Sequence, residues 1–160
     1  MRQAVAETVG HHGRVDILIS NAGQAASGTV ADLNPDDFHQ ILALNVFGPL
    51  IAMQAAIPVM REHGGGLIIN VSSMVSKMRI PGLAAYAATK AALNMLSDTA
   101  RVELAGEHIR VISIFPRMTA TDFVRNSLGD PELRQRQRAN PSAPVDTAES
   151  VAAVAAVAAG

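Results

Sequence analysis

Residues 68–90 read IINVSSMVSKMRIPGLAAYAATK. Leu67 to Val71 is an apolar, β-prone run, and Tyr86 and Lys90 open an alanine-rich helical pattern. Four residues apart, Tyr86 and Lys90 share one face of a helix. Ser73 stands at the end of the strand and can point toward the same place. A phenol, an ammonium and a hydroxyl converging beyond the carboxyl end of a strand form an acid–base site for a carbonyl or an alcohol. The ammonium is expected to favour the phenolate, so that the tyrosine exchanges its proton well below its ordinary pKa. The serine can donate a hydrogen bond to an oxygen on which negative charge develops. Hydride transfer is the chemistry that would use such a site.

Ser73 precedes Tyr86 by thirteen residues, and Lys90 follows it by four. In this spacing the stretch resembles the active-site segment of the short-chain dehydrogenases/reductases, with Ser73, not Ser72, in the serine position. A tyrosine and a lysine four apart would alone describe an ordinary exposed helix pair. Three residues in register after a strand are far more specific. The resemblance implies an α/β fold built on a Rossmann-like doubly wound parallel sheet. It also implies an NAD(P)-dependent oxidoreductase that interconverts a ketone or aldehyde and an alcohol, with Tyr86 as acid/base.

The 160 residues suffice for one domain with a real core, and we expect a single partial Rossmann domain over 1–160. Hydrophobic residues make up 49% and aromatics 3%, so that core is aliphatic and alanine-rich. A net charge of −1 gives no reason to expect nucleic acid or an anionic membrane as partner. The absence of cysteine excludes disulfides, thiolate nucleophiles and cysteine metal sites, and no metal is expected. No apolar run reads as long enough to span a membrane, and the N-terminus lacks an apolar signal core. A soluble cytoplasmic protein is the expectation.

Upstream of the central stretch, residues 1–12 read as a helix ended by Gly13. Val15–Ser20 (VDILIS) has little polar alternation, as for a strand buried on both faces. Asn21-Ala22-Gly23 follows as a turn whose glycine lets the backbone approach something closely. In the family resemblance this motif lies beside the adenine and ribose end of the cofactor. Asn34-Pro35-Asp36-Asp37 is a helix start, and the helix should run to about His63 before Gly64-Gly65-Gly66. Pro49 cannot donate to the carbonyl of Asn45, so a distortion is expected there. That kink could simply wrap the helix around the core. The family's fourth active-site residue is an asparagine, and Leu44-Asn45-Val46 matches it; the resemblance implies that the Asn45 carbonyl binds a relay water behind the lysine. Pro58 suggests only a bend.

Downstream, Met74, Met78 and Ile80 read equally well as substrate-pocket lining or as loop packing. The helix from about Ala84 to Ala105 carries many alanines and can approach its neighbours closely. The resemblance implies a homo-oligomer through the two long helices. Ile109–Phe115 (IRVISIF) is the third strand, closed by Pro116. The family pattern after this strand is P-G-x-x-x-T, which holds the nicotinamide. Pro116 and Thr121 match, whereas Arg117 stands where the glycine usually is. Arg117 reads as a solvated side chain, or as a cation aimed at the ligand. Phe123 to Pro144, with Arg134, Arg136 and Arg138, reads as a solvated lid or loop. Asp146 or Thr147 caps a last helix.

The glycine-rich turn that seats a pyrophosphate on a helix N-terminus does not occur in these residues. Gly64-Gly65-Gly66 follows a helix and precedes a strand, the reverse order. We therefore expect an incomplete sheet of three strands, Val15–Ser20, Leu67–Val71 and Ile109–Phe115. NAD or NADP is the expected cofactor. Asn45, Ser73, Tyr86 and Lys90 are the catalytic candidates. Asn21, Ala22, Gly23, Tyr86, Lys90, Pro116 and Thr121 are the cofactor-binding candidates. The alternative is a catalytically silent fragment that acts, if at all, through protein association.

Overall fold

The computed structural model describes residues 1–119, 123, 125–138 and 145–159. The elements run α1 (Arg2–His12), β1 (Ile17–Ser20), β2 (Ala26–Ser27), α2 (Pro35–Leu42), a π turn (Ala43–Phe47) and α3 (Gly48–Glu62). They continue with β3 (Gly66–Val71), a 3₁₀ turn (Met74–Lys77), α4 (Ala84–Glu103), β4 (Ile109–Ile114) and β5 (Met118–Thr119). The last are β6 (Leu128–Gly129), α5 (Pro131–Arg138), β7 (Val145–Asp146) and α6 (Ala148–Ala159).

The main sheet is parallel in the order β1-β3-β4, an α/β arrangement with helices on both faces. Strands of one direction need long crossovers, and α2–α3 and α4 supply them. Leu18, Ile68 and Val111 face one way and pack with Val5, Met53, Ala56, Met60 and Leu104 from the flanking helices. Leu67, Ile69 and Ile114 face the other way, toward Ala155, Ala158 and Ala159 of α6. Burying a side chain of this size contributes roughly 1.5–3 kcal/mol, so the aliphatic composition is enough to hold the sheet without aromatics. The three strands were expected; β1 begins two residues later than the apolar run, at Ile17, and β4 stops at Ile114.

β1 is an edge. Ile17 and Ile19 are 44% and 50% exposed, although their register partners Leu67 and Ile69 are buried. The expectation of a strand buried on both faces therefore fails for β1, because α6 covers the β4 side of that face and not this one.

Several local signals act as read. Gly13 ends α1 in the left-handed conformation. Asn34 accepts from the Asp36 amide, with Pro35 in the first turn. Thr147 and Ser150 cap α6 reciprocally: the Ser150 amide donates to Thr147 Oγ1 and the Thr147 amide donates to Ser150 Oγ. Gly65 has φ 128°, and a Cβ there would run into the His108 carbonyl, so the turn into β3 requires a glycine.

Three features differ from the expectation. Residues 24–33 are not simply loop: Ala26–Ser27 forms β2, paired with β6. Part of the stretch read as a lid or loop is the helix α5. Finally, the helix expected to run to about His63 is present as α2, the π turn and α3, but this run, Pro35–Glu62, is long and apolar enough to cross a membrane by length and composition, where no such run was expected. The sequence reading missed this because the run is interrupted by polar residues. In the structure the run packs on the sheet, with Ile41, Asn45, Met53, Ala56 and Met60 buried.

Candidate active site

The distortion expected at Asn45 is a π turn, Ala43–Phe47, in which the Gly48 amide reaches back to the Ala43 carbonyl. Pro49 lies just beyond it, in the first turn of α3. Asn45 is fully buried, and its side chain is a hub. Asn45 Nδ2 donates to the Gln24 carbonyl (2.8 Å) and to Thr89 Oγ1 (3.0 Å), while Oδ1 accepts from the Gln24 amide (2.9 Å). One amide thus ties the helical run to the loop after β1 and to α4. The sequence argument looked only to the main-chain carbonyl, and the side-chain role was invisible to it.

Gly23 belongs to the same cluster. A Cβ there would lie 3.2 Å from Asn45 Oδ1 and 3.4 Å from Lys90 Nζ. The close approach expected of the Asn21-Ala22-Gly23 turn is thus an approach to this pair. Asn21 and Ala22 are exposed just beyond β1.

α4 presents Tyr86 and Lys90 inward, 8% and 4% exposed. Tyr86 shares a hydrogen bond with Ser73. Lys90 Nζ donates to the Val71 carbonyl (2.8 Å) and lies 5.9 Å from the centre of the Tyr86 ring. Ser73 follows β3 and also caps the 3₁₀ turn, accepting from the Val75 amide (3.2 Å). The Pro116 carbonyl accepts from the Met74 amide (3.0 Å), which joins the end of β4 to that turn. Phe123 tilts against the Tyr86 ring with centroids 5.5 Å apart. Thr121 lies outside the described residues.

Residues 1–132 match the family described as short chain dehydrogenase. The chain belongs to that family. It is 33% identical over 153 residues to 2-(R)-hydroxypropyl-CoM dehydrogenase of Xanthobacter autotrophicus, covering 93% of this chain and 61% of that one. Its fold is similar to that of a gluconate 5-dehydrogenase from Burkholderia cenocepacia in complex with NADP and tartrate. There the TM-score is 0.85 and the identity 28%, over 99% of this chain and 63% of that one. It is also similar to a 3-ketoacyl-(acyl-carrier-protein) reductase from Brucella melitensis complexed with NADH. There the TM-score is 0.85 and the identity 26%, over 99% of this chain and 65% of that one. The chain thus spans less than two thirds of the length of these relatives.

In this short-chain dehydrogenase the electrostatics of the cluster differ from the sequence expectation. Burial pushes the Tyr86 phenol up to about 12, and the hydrogen bond with Ser73 only partly opposes this. Burial pulls the Lys90 ammonium down to about 8. Burial sets both directions, each away from the charged form, and Lys90 makes its nearest polar contact with the Val71 carbonyl.

Arg117 is largely exposed, as the solvated reading expects, while still meeting a neighbour. Its backbone amide and Nη2 donate to Asp146 (2.9 and 3.3 Å), beside the β5–β7 pair. Met78 and Ile80 line a groove of about 600 Å³ with Ala84, Ala87, Ala88 and Ala91, a set that includes neither Tyr86 nor Lys90. The lining also includes Ser76, whose hydroxyl donates to the Ser73 carbonyl (2.7 Å). Among the described residues, no group of acidic or histidine side chains could hold a metal ion.

Proposed function

We propose that the chain carries the reaction centre of an NAD(P)-dependent oxidoreductase interconverting a ketone or aldehyde and an alcohol. The observation that carries this reading is the buried cluster of Ser73, Tyr86 and Lys90 at the carboxyl end of β3, in a chain of this family. A bound nicotinamide supplies or accepts the hydride. Tyr86 Oη exchanges the proton with the substrate oxygen, and its raised pKa keeps it protonated as the acid in the reducing direction. Ser73 Oγ donates to the same oxygen as charge develops. Lys90, whose pKa burial pulls down to about 8, takes up or passes on a proton behind the tyrosine. Asn45 fixes the loop and helix around Lys90, and its carbonyl, to which Pro49 cannot donate, is the proposed holder of a relay water.

Gly23, Asn21, Ala22, Pro116 and Thr121 are proposed to border the cofactor. The substrate is a small carbonyl/alcohol pair, and relatives as different as a 2-(R)-hydroxypropyl-CoM dehydrogenase, a gluconate 5-dehydrogenase and a 3-ketoacyl-(acyl-carrier-protein) reductase set no closer class. We take the protein to be a cytoplasmic homo-oligomer associating through the long helices. Exposed Phe47, Met95 and Val102 on those helices support this.

These 160 residues contain no glycine-rich turn to offer backbone donors to a pyrophosphate, and among the described residues β1 is paired on one side only. By itself the chain is expected neither to saturate with micromolar NADH or NADPH nor to turn over a ketone. In that state it would act, if at all, through association. The test is a chimera in which these residues replace the matched 63% of the gluconate 5-dehydrogenase chain. The chimera should oxidise NADH or NADPH with a carbonyl from a ketone panel. Tyr86→Phe should lower kcat on the order of 10²–10⁴-fold while cofactor binding persists. Undiminished turnover in Tyr86→Phe would mean that another group is the acid.

A further inference from the structure

Three successive turns of α4 reach across to the chain that leaves β3. Tyr86 meets Ser73, and Lys90 meets the Val71 carbonyl. One turn further on, Asn94 meets the segment twice. Ser72 Oγ donates to Asn94 Oδ1 (2.5 Å), and Asn94 Nδ2 donates to Ser76 Oγ (2.9 Å). Ser76 Oγ in turn donates to the Ser73 carbonyl (2.7 Å). The amide thus uses its acceptor on the residue before Ser73 and its donor on the residue whose hydroxyl grips Ser73 itself. Ser72 is buried and Asn94 half-buried, so both bonds are sheltered from competing water.

We propose that Asn94 is a positioning residue that clamps the Ser72–Ser76 turn so that the Ser73 hydroxyl faces Tyr86. The clamp rests on the reading of Ser73 and Tyr86 as the reacting pair. The 3₁₀ turn alone does not fix Ser73. Its hydroxyl already accepts from the Val75 amide, and a free serine rotor can satisfy that bond in more than one way. Holding both flanks of the serine removes this freedom, and preorganisation of a donor is what makes it useful at a developing charge.

The chain has one tyrosine and no tryptophan, so Tyr86 can be read without interference. With tyrosine isotope-labelled at Cζ, the NMR spectrum of the 160-residue chain contains one such signal, and its position reports the hydrogen bond at the hydroxyl. Ser73→Ala should move it. Asn94→Ala should move it in the same direction by roughly half as much or more, and Ser73→Ala/Asn94→Ala should move it no further than Ser73→Ala alone. Ser76→Ala removes one arm of the clamp from the loop side, without altering α4, and should act like Asn94→Ala. It carries the test if Asn94→Ala does not fold. A Tyr86 signal unmoved by both Asn94→Ala and Ser76→Ala, but moved by Ser73→Ala, would overturn the clamp and leave the proposed reaction standing. Full additivity in the double variant would overturn it as well, because the effect would then bypass Ser73. A signal unmoved by Ser73→Ala itself would remove the contact on which both readings depend.

Discussion

Replacing Lys90 with methionine should stabilise the folded protein at neutral pH, even though it removes a candidate catalytic group. The ammonium is 4% exposed, and burial lowers its pKa from 10.5 to about 8. Between those values the unfolded chain holds a proton that the folded chain does not, so wild-type stability rises with pH across that window. Below about pH 8 the folded state carries the full penalty of a buried charge. The shift corresponds to about 3 kcal/mol at pH 7, falling to about 1 kcal/mol at pH 9.5. Methionine is of similar length and carries no charge, but it abandons the hydrogen bond to the Val71 carbonyl, which offsets about 1 kcal/mol. The variant should therefore be more stable by about 2 kcal/mol at pH 7 and about equal to wild type at pH 9.5. Tyr86 acts in the opposite sense. Its raised pKa contributes stability that is complete below pH 10 and lost as pH rises through about 12, so measurements should stay below that range. Urea unfolding of both proteins at the two pH values is the assay. A less stable Lys90→Met at pH 7, or a difference that does not change with pH, would refute the reasoning that the lysine is buried at a cost.

The hub at Asn45 makes a second prediction: Asn45→Ala strands the Gln24 amide and carbonyl and Thr89, and should lower stability by about 3 kcal/mol in urea unfolding. Gly23→Ala puts a methyl against Asn45 Oδ1 and Lys90 Nζ. It should cost about 1 kcal/mol of stability, and in the chimera it should depress turnover more than stability; a neutral substitution would show that the cluster has slack. Ile17→Lys/Ile19→Lys should reduce self-association of the 160-residue chain in light scattering, since both side chains sit on an open strand edge. Unchanged association would move the sticky surface elsewhere, with Met95 and Val102 the next to test.

The spacing of Ser73, Tyr86 and Lys90 was legible in the sequence because strand end and helix turn each fix a residue's direction. So was the distortion near Asn45, because a proline's missing N–H is a covalent fact. The protonation state was not. Residue types reveal that a phenol and an ammonium are neighbours, but only the fold tells how much water each has lost. β2 and β6 were also unreadable: two-residue strands have no periodicity, and their partners lie about a hundred positions apart. Asn94 left a faint signal, since it continues the four-residue step of Tyr86 and Lys90, but its partners Ser72 and Ser76 lie in a loop with no pattern of its own.

The π turn also has a consequence for insertions and deletions. Ile41, Asn45, Pro49 and Met53 are all buried, each four residues after the last. Three turns of a regular α-helix use about 10.8 residues, whereas this run uses 12. The wide turn absorbs the surplus and keeps both ends of the helix in phase with the core. Removing one residue from Ala43–Phe47 would produce a more regular helix with better local hydrogen bonding. Eleven residues nearly complete three turns of a regular helix, so Ile41 and Met53 would stay in phase with the core, and what is lost is the wide turn itself, which aims Asn45 at Gln24 and Thr89. A deletion in this turn should therefore spare the packing of the two flanking helices and strike selectively at the Asn45 hub.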